Sequence, residues 1–168
     1  MKRSKINACI KDMEKMAKEH GFALPPFCHW TPQEWKDKSS EYDEIRDNML
    51  GWDITDYGSG DFDKVGFALI TLRNGNQNDP KYKKVYAEKL LMLKEGQHSP
   101  MHFHWNKSED IINRGGGTLL IQVYNDAGDG TFADTDVLVN MDGRSFYVPA
   151  GTTVELTPGE SITLWPHQ

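Results

Sequence analysis

The stretch Val137-Leu138-Val139-Asn140-Met141-Asp142-Gly143-Arg144-Ser145-Phe146-Tyr147-Val148 has the pattern of a β-hairpin. Two short runs rich in branched and aromatic residues flank Asp142-Gly143. A type I′ hairpin turn has positive φ at both central positions, which Asp and Gly tolerate, so strands are predicted over residues 137–141 and 144–148. Reading outward to the C-terminal side, Pro149-Ala150-Gly151 and Thr157-Pro158-Gly159 punctuate two more strands, residues 152–156 and 161–165. Reading back, residues 118–124, 84–93 and 65–72 have the same character, the last ended by Asn74-Gly75. Between them, residues 125–136 are acidic and contain glycine, as expected of a long solvated connection. Short strands separated by turn residues indicate an antiparallel sandwich or barrel.

The first fifty residues differ in period. Ile6, Ile10, Met13 and Ala17 recur at spacings of three and four, which makes one apolar helical stripe, and Gly21 follows as its stop. Trp30-Thr31-Pro32-Gln33-Glu34-Trp35 is a dense helix start: Thr31 caps, Pro32 suits the first turn, and Glu34 closes a capping box. Trp30 and Trp35 are placed to form the hydrophobic staple across it. A further turn or two is expected between Glu41 and Met49, with Gly51 beyond. The sequence thus divides into a helical segment over 1–50, packing on a β domain over 51–168.

Composition narrows the function classes. The chain has 168 residues, with 19 Lys and Arg against 25 Asp and Glu, a net charge of −6. A hydrophobic share of 38% is that of a folded soluble domain. The acidic balance speaks against nucleic acid as a partner. No run approaches the roughly 20 apolar residues of a membrane span, and the basic start leads into an amphipathic segment, not a signal sequence. The two cysteines, Cys9 and Cys28, make neither a disulfide framework nor a CxxC pair, so a reducing cytoplasmic setting is expected.

The chemistry is concentrated in His102-Phe103-His104. On a strand, side chains two apart share a face, so both imidazoles could reach one ion at about 2.0–2.1 Å. Glu109 follows across a bend at Trp105-Asn106-Lys107-Ser108 and offers a hard oxygen. In isolation, HxH is also what two surface histidines on a strand look like.

The surrounding spacing extends that reading. Gly96, His102, His104, Glu109 and Gly116 stand at the intervals of the first signature of the cupin superfamily, which this run resembles at every fixed position. The resemblance implies a mainly β, double-stranded, jelly-roll-like barrel with a divalent metal inside and the N-terminal helices outside. A second cupin signature supplies a fourth ligand histidine. Gly143, Pro149 and Gly151 match its start, but Val154 stands at the ligand position. Gly159 followed by Trp165, Pro166, His167 and Gln168 matches less closely, yet is preferred, because valine binds no metal. On that alignment His167 is a turn residue and the fourth ligand falls just after Gln168, with His167 as the stand-in otherwise. The barrel over 51–168 would then lack its C-terminal strands.

A longer similarity is more specific. Leu24-Pro25-Pro26-Phe27, Leu50-Gly51-Trp52-Asp53, Thr71-Leu72-Arg73-Asn74-Gly75, Tyr86-Ala87-Glu88-Lys89 and the run from Pro100 to Gly117 resemble the bacterial D-lyxose isomerases. That resemblance implies a manganese-carrying cupin that interconverts D-lyxose with D-xylulose, and D-mannose with D-fructose, through a metal-stabilised enediol. His102, His104 and Glu109 would hold the ion. Mixed nitrogen and oxygen ligands suit Mn2+, although Zn2+ or Ni2+ could load in its place. Lys107 and Lys89 are the candidates for the cation or acid that steadies developing charge. The catalytic base is expected to be a carboxylate beyond Gln168, and a homodimer is expected by analogy with other cupins.

Other patterns are set aside. Asn106-Lys107-Ser108 is a glycosylation sequon without a secretion signal. Asp126-Ala127-Gly128-Asp129-Gly130 has the wrong oxygen spacing for a calcium loop. Gly115-Gly116-Gly117 follows no dinucleotide-binding pattern. Cys28 reads as a core thiol, and Trp52, Phe103 and Trp105 as packing residues. Two other readings compete with the isomerase: an iron oxygenase on the same scaffold, and a sugar-binding module without catalysis.

Overall fold

The computed structural model describes residues 1–168. Two compact units divide them, Met1–Pro100 and Met101–Gln168. The class is mainly β with helices at the N-terminus.

In the first unit, helix α1 (Arg3–Glu19) ends as its sequence predicts. Gly21 adopts φ +69, its N–H donates to Lys18 O, and the Phe22 N–H donates to Ala17 O. These two bonds close a Schellman motif on carbonyls the helix leaves free. The short helix α2 (Pro32–Lys36) starts with the full Thr31–Glu34 capping box, and Trp30 meets Trp35 edge-on at 5.1 Å as its staple. Helix α3 (Asp43–Asp47) stops earlier than expected. Met49, at φ +54, takes the left-handed position, so Gly51 is free to begin a strand.

Strands β1 (Gly51–Thr55), β2 (Phe67–Arg73) and β3 (Glu88–Met92) form one antiparallel sheet in that order. Cys9, Met13 and Ala17 of α1 share a core with Ala68, Ile70 and Leu72 of β2 and Met92 of β3. The helical segment is therefore built into this unit, not layered outside it. Trp52 packs against the same core and donates its indole N–H to Cys28 O at 3.0 Å. Cys28 is buried, and burial pushes its thiol up to about 11, as expected of a core cysteine. The strand expected over residues 84–93 is realised only as β3. The chain before it is occupied elsewhere: Lys84 pairs with Glu44, and the Tyr82 hydroxyl donates to Asp47.

In the second unit, six strands pair as nested hairpins. They are β4 (Glu109–Ile112), β5 (Leu119–Gln122), β6 (Val137–Met141), β7 (Arg144–Val148), β8 (Thr153–Leu156) and β9 (Ser161–Leu164). β6 pairs with β7, β5 with β8 and β4 with β9, and β6 also touches β9. This is the wrapping order of a jelly roll. The ladders give two separate sheets, β4-β9-β6-β7 and β5-β8, and no ladder joins them into a ring. Val137, Val139 and Ile162 from one sheet and Val154 and Leu156 from the other make a single buried core. β4, which the sequence reading had not marked as a strand, is held by its pairing with β9.

The Asp142-Gly143 turn is as read from sequence, with φ +49 and +78 and Met141 opposite Arg144. A Cβ at Gly143 would meet nothing within 4 Å, so Gly143→Ala isolates the backbone cost. A loss of about 1 kcal/mol in denaturant unfolding is expected.

Candidate active site

The predicted strand at His102-Phe103-His104 does not form: residues 101–104 carry no ladder. The segment is nonetheless extended enough to alternate. The rings of His102 and His104 meet edge-on at 5.3 Å, and those of Phe103 and Trp105 meet at 4.7 Å. The histidines therefore share one side, as read from the sequence, and the aromatics the other. The missing ladder has a local reason. The chain bends at Trp105-Asn106 and pairs again only at Glu109, the first residue of β4.

Glu109 is the centre of the group. Its Oε2 lies 3.3 Å from His104 Nε2, and its Oε1 lies 3.4 Å from Lys107 Nζ. One carboxylate is thus shared between an imidazole and an ammonium. Burial pushes the His104 imidazole below its ordinary value, the Lys107 charge adds to that, and Glu109 opposes it. His104 is accordingly neutral at neutral pH, the form whose lone pair can bind a cation.

The donor chemistry can be tested against a divalent ion. Bonds of about 2.1 Å from one ion could span two donors 3.3 Å apart, as His104 Nε2 and Glu109 Oε2 are. His102 lies one ring away, and no three His, Cys, Asp or Glu side chains close into a ligand cluster. His104 Nε2 and Glu109 Oε2 therefore stand close enough to be two donors to one ion, while His102 touches His104 ring to ring without closing a three-donor cluster with them.

His167 is placed differently. Its ring stacks on Phe103 at 5.8 Å and meets the edge of Trp105 at 5.1 Å, on the aromatic side of the segment. Its Nδ1 lies 3.0 Å from Asp126 Oδ2. Lys89 belongs to the first unit, exposed on β3 opposite Thr71. Phe103 and Trp105, set down as packing residues, do pack, but against His167, and Trp105 keeps 57% of its surface exposed.

Sequence reasoning missed two residues that shape this region. Asp126, in what was read as a solvated loop, has a side chain only 1% exposed. Asn113, just past β4, is buried and donates to Gly117 O and Leu156 O while accepting from the Gly115 N–H. No hydrophobic period or motif marks either. The short polar types Asp and Asn beside glycines are the one available signal. Asn113→Ala would strip the buried Leu156 carbonyl and the more exposed Gly117 carbonyl of their donor, so a loss of about 1–3 kcal/mol is expected in chemical denaturation.

A family model described as D-lyxose isomerase matches residues 1–168. The D-lyxose/D-mannose isomerase of Escherichia coli O157:H7 is 42% identical over 167 residues, 99% of this chain and 74% of that protein. The D-lyxose/D-mannose isomerase of Serratia proteamaculans is 44% identical over 168 residues, covering 73% of its own length. No helix is long and apolar enough to cross a membrane. On that whole-length match, the chain belongs to the D-lyxose isomerase family, a family of sugar isomerases.

Proposed function

We propose that the protein interconverts D-lyxose with D-xylulose, and D-mannose with D-fructose, at the His104–Glu109–Lys107 group. The observation that carries this reading is Glu109, whose two oxygens face an imidazole and an ammonium at 3.3 and 3.4 Å. His104 and Glu109, with His102 as third donor, hold a divalent cation, Mn2+ by preference for mixed nitrogen and oxygen ligands. When bound, that ion supplies Lewis acidity toward the sugar oxygens.

The chain's own residues supply charge stabilisation, and the proton itself is carried by a carboxylate base outside this group. Isomerisation moves a proton between C1 and C2 of the open-chain sugar, and negative charge develops on oxygen as it leaves. Lys107, half exposed and fixed against Glu109, carries the positive charge that meets this oxygen. Burial of His104 keeps it neutral and able to act as a donor ligand. Lys89, the other lysine singled out in the sequence, stands on β3 of the first unit. Replacing Lys107 by Met is expected to lower kcat about a hundredfold, and Lys107→Arg to recover part of the loss, both read by ketose formation. Lys89→Met, run beside it, compares the two lysines directly.

The decisive assay is incubation with D-lyxose under air and under nitrogen. Ketose in both is expected, with loss after chelation and recovery on adding Mn2+. Dependence on dioxygen would favour an oxygenase, and no turnover in either gas a binding module.

A further inference from the structure

The segment that carries His102 and His104 lacks the ladder that usually fixes a strand, yet its rings are ordered in two alternating pairs. Its backbone is tied at His104, whose carbonyl accepts from the His167 N–H at 3.0 Å. For that bond His167 adopts φ +68, a left-handed conformation that a non-glycine residue holds only under restraint.

The restraint comes from Asp126. Its N–H donates to His167 O at 2.8 Å, and its Oδ2 lies 3.0 Å from His167 Nδ1, so backbone and ring are both gripped. Asp126 is in turn fixed by the Gly130 N–H, which donates to its Oδ1 at 2.8 Å. Hydrogen bonding from His167 and from the loop amides holds its carboxyl below the usual carboxylate range, so it is ionised at neutral pH. Across the contact, Phe103 stacks on the same imidazole and Trp105 closes on its edge. The two residues that alternate with the histidines thus dock on a ring that Asp126 immobilises.

We propose that Asp126 and His167 are positioning residues, a clasp that stands in for a strand ladder and sets the orientation of His104 toward Glu109. The sugar-isomerase reading above is the ground on which this role matters to catalysis. Groups one contact behind a metal ligand typically change metal affinity or activity by about 10–100-fold when removed.

The test uses the full chain and the variants Asp126→Leu and Asp126→Asn. Leucine keeps the bulk and removes the acceptor, whereas the Asn oxygen can still accept from an imidazole N–H. Three readouts are taken: deuterium uptake of residues 101–108, Mn2+ affinity by titration calorimetry, and kcat and KM for D-lyxose. Asp126→Leu is expected to raise uptake in residues 101–108 while the 137–148 hairpin is unchanged. It should also weaken Mn2+ about tenfold or more and lower kcat more than it raises KM. Asp126→Asn, whose single oxygen can serve either His167 Nδ1 or the Gly130 N–H, should restore part of each loss. Parent-like uptake and Mn2+ affinity in Asp126→Leu would overturn the proposal, as would equal damage by Asn and Leu. Where Asp126→Leu does not fold, His167→Ala tests the same contact from its other side, with the same rise in uptake expected. A parent chain that turned over no sugar would strike at the isomerase reading alone, because uptake in residues 101–108 still judges the clasp.

Discussion

Replacing Glu109 with Gln is expected to lower kcat/KM for D-lyxose about a thousandfold, which is about 4 kcal/mol of transition-state stabilisation. The change is nearly isosteric, so β4 and its pairing with Leu164 should persist. Its chemistry is not conservative. The carboxylate now balances Lys107 on one oxygen and faces His104 on the other. A neutral amide removes the charge that attracts a cation and leaves the ammonium without its counterion. Unchanged circular dichroism and melting, with activity lost, is the outcome that assigns the effect to the site. Activity within tenfold of the parent would remove Glu109 from the chemistry.

The largest effect on stability is expected at Leu156. This residue is fully buried in the core between the two sheets of the second unit, and its carbonyl also accepts from Asn113. Leu156→Ala removes three carbons from a packed interior and leaves a cavity, so a loss of about 3–5 kcal/mol is expected. Chemical denaturation monitored by tryptophan fluorescence and circular dichroism measures it. A loss under about 1 kcal/mol would mean that the two sheets do not share the tightly packed core described here.

Much of the fold is legible in the sequence where local chemistry decides it. The Asp142-Gly143 turn and the Gly21 helix stop need a backbone conformation that few residues provide, the Thr31–Glu34 capping box needs a pair of side chains that few residues provide, and each is found as read. Strand ends were less legible. Residues 84–87 have strand-like composition, but the ties from Tyr82 and Lys84 to α3 draw that stretch away from the sheet. β4 is fixed by β9, a partner more than forty residues along the chain, a preference no short window records.

The site shows the same division. The spacing of His102, His104 and Glu109 was enough to put the histidines on one side and the carboxylate beside one of them. The strand expected there is absent because the chain bends at Trp105-Asn106 and pairs again only at Glu109, while the His104 carbonyl accepts from the His167 N–H in place of a ladder partner. Asp126 could not be found in this way, since its role exists only once residue 167 comes to meet it.

His102, His104 and Glu109 are proposed to hold a divalent cation that serves sugar isomerisation. Crystals of the protein soaked in Mn2+ and measured at a wavelength with manganese anomalous signal test it most directly. An anomalous peak is expected about 2.0–2.2 Å from both His104 Nε2 and Glu109 Oε2, with His102 turned in as a further ligand. Strong manganese peaks elsewhere, with none between His104 and Glu109 at saturating metal, would contradict the account.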